Sequence, residues 1–306
     1  MNLLIGMALI LLFQFFHLGE SVIVRASSKK HGSGGYMFNA LISMFAMIFH
    51  IVFELVTDKN GLYFPGGLWL YGIISGLMFA GGFYFMFKAL ALGSFILTQM
   101  IAGFSFIIPM AYGAFFLNEP FTIFTGIGLA LTIFAVLLTS FSKIKTQKAK
   151  AQEEGNEAQN TNLFSVKWLI YTLLSALCNG GIAIISRAQQ LEFNDQCSRE
   201  FLAISLGVSF LFLLTMALST NIKESGNIFK KTIGYATGAG IFNAAKNIVN
   251  LFIYLFIPLT LLSPIKAGIS KAFGFFVSVF LYKEKFTKLQ LIAILLGLVA
   301  VVITSL

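Results

Sequence analysis

Apolar runs of about 20 residues alternate with short polar segments along most of the chain. Ten such runs can be distinguished, at residues 3–26, 36–56, 67–90, 95–117, 120–141, 166–190, 198–218, 231–256, 259–282 and 286–305. About 20 helical residues cross the hydrocarbon core of a bilayer. A spanning segment must satisfy its own backbone polar groups, and the period-2 pattern of a membrane barrel is not seen. The pattern therefore predicts an all-α integral membrane protein with ten transmembrane helices.

The composition agrees with this prediction. Hydrophobic residues make up 58% of the chain and charged residues 11%, with 35 Phe, whereas about a quarter of a soluble domain is charged. The first run lacks a basic segment before it and contains Gln14, His17 and Glu20. We therefore interpret it as a retained helix rather than a secretion signal. The two cysteines, Cys178 and Cys197, predict neither a disulfide framework nor a metal site, and no cofactor is indicated.

The chain contains an internal duplication. The first repeated pattern is Leu11-Leu12, Gly19, Ile23 and Arg25-Ala26, which returns as Leu173-Leu174, Gly181, Ile185 and Arg187-Ala188. Two later motifs also return: Ala102-Gly103-x-Ser105 as Ala267-Gly268-x-Ser270, and Glu119-x-Phe121-Thr122 as Glu284-x-Phe286-Thr287. Internal repeats in a very apolar chain are typical of secondary transporters. The prediction is a first five-helix repeat at 1–141, a polar linker at 142–165 and a second five-helix repeat at 166–306.

The two repeats are predicted to cross the membrane in opposite directions. Five helices are an odd number, so the second repeat begins on the opposite side from the first. The loop charges agree, because the loop at 26–35 contains SSKKHGS whereas its counterpart at 191–197 reads LEFNDQC. Matching motifs with opposite lysine content are expected of inverted repeats.

The net charge of +9 is interpreted as a topology signal and not as a nucleic-acid site. Most Lys and Arg residues lie in or beside loops that follow odd-numbered helices, including the linker at 142–165. The positive-inside rule then places this linker in the cytoplasm and both chain ends outside. The prediction is a multi-pass protein of the plasma membrane, either a monomer or a homodimer.

The order and duplication of these motifs resemble the drug/metabolite transporter superfamily, and specifically its EamA-like members. The acidic corner before the last helix of each half, around Glu119 and Glu284, is similar to a corner that recurs in that family. The resemblance implies a basket of helices around a central cavity, lined mainly by helices 1, 3, 4, 6, 8 and 9 and opened to each side in turn. It implies peripheral positions for helices 5 and 10.

The eighth predicted helix has the richest polar face. Asn243, Lys246, Asn247, Asn250 and Tyr254 follow one another at steps of three and four residues, which places them on one side of the helix. An ionisable side chain at mid-membrane costs roughly 2.5–3.5 kcal/mol on insertion scales. Lys246 is therefore predicted to bind solute, and the asparagines are either solute ligands or interhelical hydrogen bonders.

The ninth predicted helix adds Lys266 and Lys271. On an ideal helix, side chains five residues apart point in different directions, although Pro264 and Gly268 could loosen the turn and bring both lysines inward. The family includes organic-phosphate transporters that use basic residues on this helix. The resemblance therefore makes Lys266 and Lys271 candidate ligands for a carboxylate or phosphate.

The first predicted helix carries a second polar face with Gln14, His17 and Glu20. Glu20 is predicted either as a proton carrier, since burial raises a carboxylate pKa, or as a static counter-ion for Lys246 or Lys271. Small multidrug exporters exchange protons for cations through a carboxylate on helix 1. The position of that carboxylate corresponds to His17 in this chain, which argues against the same mechanism here.

Other polar and aromatic residues complete the set of candidates. Gln99 and Tyr84 lie in predicted cavity-facing helices and are candidate solute contacts. His50 and Glu54, four residues apart near the end of the second predicted helix, are expected to form a pair.

The preferred hypothesis is a secondary transporter of a small anionic or zwitterionic solute such as an amino acid, a carboxylate or a phosphorylated metabolite. Three intramembrane lysines against one clear intramembrane carboxylate give a positive interior that attracts anions. The alternative is proton-coupled export of cations through Glu20. The expected partners are the solute, the lipid bilayer and protons as a coupling ion. Short loops argue against a receptor, and no enzymatic motif is present.

Overall fold

The computed structural model describes residues 2–31, 35–57, 62–92, 98, 101–153, 166–194, 196–220, 222–280 and 288–304. Within these residues the chain forms ten α-helices, which we number α1 to α10. They are α1 (Asn2–His31), α2 (Gly35–Thr57), α3 (Gly66–Leu92), α4 (Ile107–Phe116), α5 (Ile123–Glu153), α6 (Val166–Phe193), α7 (Ser198–Thr220), α8 (Ile222–Phe256), α9 (Leu259–Phe280) and α10 (Lys288–Thr304).

The helices confirm the prediction of an all-α, multi-pass membrane protein. Among the described residues, six helices are long and apolar enough to cross a membrane: α1, α2, α3, α6, α7 and α8. Shorter apolar helices occur at Gly103–Phe116, Ile123–Leu138 and Leu291–Thr304. The first of these begins with a 3-10 turn at Gly103–Phe106 that leads directly into α4.

Helix α5 is longer than the sequence pattern predicts. The apolar run ends near residue 141, yet the helix continues to Glu153, so the first part of the predicted linker is helical. The physical reason is local propensity, because this segment consists largely of Lys, Ala, Gln and Glu, all strong helix formers. Residues 154–165 of the predicted linker lie outside the described residues.

The chain divides into two compact units, and each contains helices from both sequence halves. Unit 1 comprises Met1–Tyr84 and Gly181–Ile257, and unit 2 comprises Phe85–Gly180 and Pro258–Leu306. In unit 1, α1 packs against α8, and α2 packs against both α7 and α8. In unit 2, α5 packs against α10, and α9 packs against α4 and α10.

Small residues permit the close helix contacts within unit 1. A Cβ added to Gly240 on α8 would meet the Phe45 side chain and the backbone of α2, and one added to Gly76 on α3 would overlap the carbonyl oxygen of Ser205 on α7. Around Gly240, Phe38 and Leu41 of α2 pack against Ala236 and Ala239 of α8 in a buried apolar cluster. Small residues are the usual means by which membrane helices approach closely.

Candidate solute site in unit 1

An ion pair between α1 and α8 is the centre of the candidate site. The Lys246 ammonium lies 2.5 Å from Oε2 of Glu20, and the Asn243 amide donates a 2.8 Å hydrogen bond to Oε1 of the same carboxylate. The side chains are 14% exposed for Glu20 and 16% for Lys246. Both carboxylate oxygens are thus bound by protein groups, but the pair is not sealed.

The packing of α1 on α8 explains why these two residues meet. A Cβ at Gly19 would overlap the ring of Phe242, and Gly6 lies against Ile257. Low residue numbers in α1 thus face high numbers in α8, so the two helices run antiparallel. Since Gly19 and Phe242 precede Glu20 and Asn243 directly, the close approach of the backbones sets the register in which the polar faces meet.

His17 lies one helical turn before Glu20. Its Nδ1 atom is 3.9 Å from Oε2 of Glu20, beyond hydrogen-bond distance, and 43% of its side chain is exposed. The imidazole also stacks on Phe13 with 6.1 Å between the ring centroids. His17 is therefore near the carboxylate without being fixed by it, and a small displacement would bring the two groups together.

The polar face predicted on α8 makes hydrogen bonds at two levels along the helix. Asn247 donates a 2.9 Å bond to Oδ1 of Asn243 and so extends the Glu20 cluster. One turn further on, Asn250 donates a 3.1 Å bond to the hydroxyl of Tyr254. Asn247 and Tyr254 are buried, so part of this face holds the structure together.

Four further residues were predicted as solute ligands: Tyr84, Lys266, Lys271 and Gln99. Tyr84 stacks on Tyr36 with 6.0 Å between the ring centroids and makes an edge contact with Phe212. Lys266 lies on α9 in unit 2 and is partly buried. The Lys271 side chain and the whole of Gln99 lie outside the described residues.

The predicted pair of His50 and Glu54 is wrong. Glu54 instead forms a salt bridge with Arg199 at the start of α7, with 2.5 Å between Nε and Oε2, and Arg199 also donates to the hydroxyl of Thr57. A guanidinium satisfies a buried carboxylate better than an imidazole does, because it is always charged and has five donors. Both ring nitrogens of His50, which is fully buried, have no hydrogen-bond partner among the residues described. Sequence spacing along one helix could not reveal a partner on another.

The acidic corner around Glu119 has a structural explanation in unit 2. Asn118 adopts a left-handed backbone conformation with a φ of 51°, and the Glu119 carboxylate accepts a 2.9 Å hydrogen bond from the backbone N–H of Thr260 in the first turn of α9. Thr122 caps α5 by accepting from the N–H of Thr125. The repeated Glu-x-Phe-Thr motif therefore serves helix ends here, as expected of carboxylates and hydroxyls near helix N-termini. Its second copy, at residues 284–287, lies outside the described residues.

Comparison with known proteins agrees with this architecture. The model of the EamA-like transporter family matches residues 4–141. A solved structure described only as "Crystal structure of protein" aligns with a TM-score of 0.69 and 16% sequence identity, covering 99% of this chain and 96% of its own. At this identity the likeness establishes the fold alone. No curated protein sequence matches. The resemblance predicted from the sequence is therefore confirmed over residues 4–141, the part of the chain that matches the EamA-like transporter family.

Proposed function

We propose that this chain, a membrane transporter of small solutes by its family, carries a small zwitterion such as an amino acid. The observation that carries the proposal is the partly exposed ion pair of Glu20 and Lys246. A solute that carries both a carboxylate and an ammonium group can bind each residue of this pair with the same type of group that binds it now. Its carboxylate takes the place of Glu20 at Lys246, and its ammonium takes the place of Lys246 at Glu20.

Charge balance favours a zwitterion over a simple anion at this pair. Lys246 does not present an uncompensated charge, because Glu20 lies against it. An anion that displaced Glu20 would leave a carboxylate without a partner, and an unpaired charge in a low-dielectric site is costly. A zwitterion leaves the net charge unchanged, so this cost does not arise.

Anionic solutes remain compatible with the site if a proton accompanies them. Protonation of Glu20 would free Lys246 for a carboxylate or phosphate while keeping the site neutral, which makes protons the coupling ion and Glu20 their carrier. Lys266 and Lys271 on α9 would supply further positive charge for a phosphorylated solute. One proton bound with each monoanion is then the expected stoichiometry.

Other members of the polar face would select among solutes. The amides of Asn243 and Asn250 are placed to read polar substituents, and their hydrogen bonds to Glu20 and Tyr254 are exchangeable for bonds to a solute. His17 and Gln99 are proposed as additional polar contacts, and Tyr84 as an aromatic surface. Such groups supply orientation and specificity rather than the bulk of the affinity.

Alternating access by two inverted repeats is the proposed mechanism. The duplicated motifs, the odd number of helices in each half and the opposite lysine content of matching loops support it. The lysine-rich segment at 142–165 would lie in the cytoplasm and the protein in the plasma membrane.

Solute exchange in proteoliposomes tests the proposal. Vesicles loaded with unlabelled alanine would take up labelled alanine, whereas exchange of lactate, glycerol phosphate or tetraethylammonium would be slower or would require a pH gradient. Lys246→Met and Glu20→Gln should each lose at least tenfold in exchange, and Lys231→Gln, an exposed lysine on the same helix, should not. Faster exchange of tetraethylammonium than of alanine would replace the proposal with the alternative of cation export. Undiminished alanine exchange by Lys246→Met would remove the ion pair from solute binding.

A further inference from the structure

Unit 1 contains a pocket that shares no lining residue with the Glu20 and Lys246 cluster. It lies where α2 and α6 end and α7 begins, against the last turns of α8, and its volume is about 420 Å³. Ligand pockets generally measure roughly 300–1,000 Å³. The pocket is therefore large enough for a molecule or for a substantial part of one.

One half of this pocket is polar and presents a cation. Arg199 is bound by Glu54 and by Thr57 and lies over the Phe53 ring, 5.6 Å from its centroid. These contacts involve two of the five donors of the Arg199 guanidinium. The Arg199 side chain is 33% exposed, whereas the Glu54 side chain is 4% exposed. Ser198, the first residue of α7, also lines the pocket. The positive end of the helix dipole thus adds to the guanidinium charge.

A buried acceptor in the same pocket lacks a donor. Gln190 lines the cavity and is almost fully buried. Its amide nitrogen donates a 2.9 Å bond to the carbonyl of Leu251, but its amide oxygen has no hydrogen-bond partner in the part of the chain that the structure describes. A buried acceptor without a partner destabilises the folded state. A hydroxyl or ammonium group of a bound molecule would remove this cost.

The other half of the pocket is apolar and opens through exposed side chains. Leu202, Ile248, Leu251, Phe252 and Leu255 form it, and Phe252 and Leu255 are also exposed on the protein surface. They lie in the last turns of α8, one of the helices long enough to cross the membrane. Exposed apolar side chains on such a helix face acyl chains, so a molecule can enter this half from the bilayer.

We propose that the pocket binds one membrane phospholipid with a hydroxyl- or ammonium-bearing headgroup. The phosphate lies at Arg199 and the start of α7, where charge-assisted hydrogen bonds form. A headgroup donor reaches the amide oxygen of Gln190, and an acyl chain covers the apolar half. A soluble phosphate would satisfy only the first of these three contacts. Phosphatidylcholine would fail the second, because its quaternary headgroup has no N–H or O–H.

Native mass spectrometry of the detergent-purified full chain, titrated with phosphatidylglycerol, tests the proposal. The tightest lipid site should weaken at least tenfold, or about 1.4 kcal/mol, in both Arg199→Gln and Leu255→Trp, the second of which fills the pocket. Lys231→Gln controls for loss of a cation. Leu218→Trp is the matched control for bulk, since Leu218 and Leu255 are both 42% exposed and Leu218 lies outside the pocket. Phosphatidylcholine should bind more weakly than phosphatidylglycerol to the unaltered protein.

Three outcomes would overturn the lipid site. They are binding of phosphatidylglycerol by Leu255→Trp as tightly as by Leu218→Trp, binding of phosphatidylcholine as tightly as phosphatidylglycerol, and displacement of the lipid by millimolar inorganic phosphate. The last result would identify a site for a small anion without an acyl contact. If Arg199→Gln does not fold because Glu54 loses its partner, the double variant Glu54→Gln/Arg199→Gln replaces it, and Leu255→Trp decides the question independently.

Discussion

Glu20 and Lys246 form an ion pair although 226 positions separate them in the sequence. Each residue alone would be costly inside a membrane, and together they form a neutral, hydrogen-bonded unit between α1 and α8. This relationship bears on the positive interior predicted from the sequence, because the charge of Lys246 is balanced locally. It also makes the pair both a structural contact and the proposed place of solute exchange.

The two roles of this pair can be separated by a double-mutant cycle. Lys246→Met alone should lower the free energy of unfolding by about 3 kcal/mol, since it leaves a largely buried carboxylate without its counter-ion. The double variant Glu20→Gln/Lys246→Met should recover most of that loss, because no charge is left unpaired. Thermal unfolding in detergent provides the stability, and alanine exchange provides the activity.

The double variant should remain inactive in exchange even where its stability recovers. Recovery of both properties would mean that the ion pair is only a structural contact. Failure to recover stability would mean that the two charges do not compensate each other in the folded protein.

Helix packing in unit 1 predicts opposite effects for two glycine substitutions. Gly76→Ala should destabilise the protein by about 1–3 kcal/mol, because the added methyl group would overlap the carbonyl oxygen of Ser205. Gly234→Ala on α8 should be neutral or stabilise by up to about 1 kcal/mol, since nothing lies within 4 Å of its added Cβ. Melting temperatures of both variants in one detergent provide the comparison. Equal effects would argue against close packing of α3 on α7.

The Glu119 corner in unit 2 predicts a graded response. Glu119→Ala should cost about 1–2 kcal/mol, because the N–H of Thr260 loses its acceptor at the start of α9. Glu119→Gln should cost less, since the amide oxygen still accepts while the favourable charge at the helix N-terminus is lost. Hydrogen exchange of the Thr260 amide would report on this bond directly. Protection of that amide in Glu119→Ala equal to that in the unaltered protein would refute the assignment.

Cys197 predicts a slow, pH-dependent reaction with thiol reagents. Burial raises the pKa of its thiol, and the carboxylates of Glu200 and Glu54 raise it further, so the reactive thiolate is scarcer at pH 8 than in a free cysteine. In a Cys178→Ala background, maleimide labelling should therefore be slower than in the denatured chain and should accelerate as the pH rises above 9.

Removing one nearby charge tests the cause of this shift. Glu200→Gln lowers the thiol pKa and should speed labelling several-fold at pH 8, while the Gln oxygen can still accept the hydrogen bond from the N–H of Tyr63 that Glu200 now accepts. Labelling of the variant at the same rate as the parent at pH 8 would show that Glu200 does not raise this pKa, leaving burial and Glu54 as its causes.

The acidic corner marks one limit of prediction from sequence. The sequence showed only that this corner is repeated and resembles one in the family, whereas the coordinates show Glu119 bound to the first turn of α9 and Thr122 at the start of α5. The same limit applies to Glu54. A neighbour four residues away is the partner that helical spacing offers, whereas the actual partner, Arg199, lies on another helix.

The sequence by itself determined the class of the protein, its membrane-spanning character and its resemblance to a transporter family, because length and hydrophobicity of a run decide whether it can cross a bilayer. It also determined which side chains were too polar to face lipid. Only the tertiary structure decided which of them meet. Partner choice depends on helix register and approach distance, and these are set by contacts such as Gly19 against Phe242 that hydrophobic periodicity does not encode. For that reason Lys246 could be recognised as a functional candidate from its position, while its neutralisation by Glu20 became visible only in the folded chain.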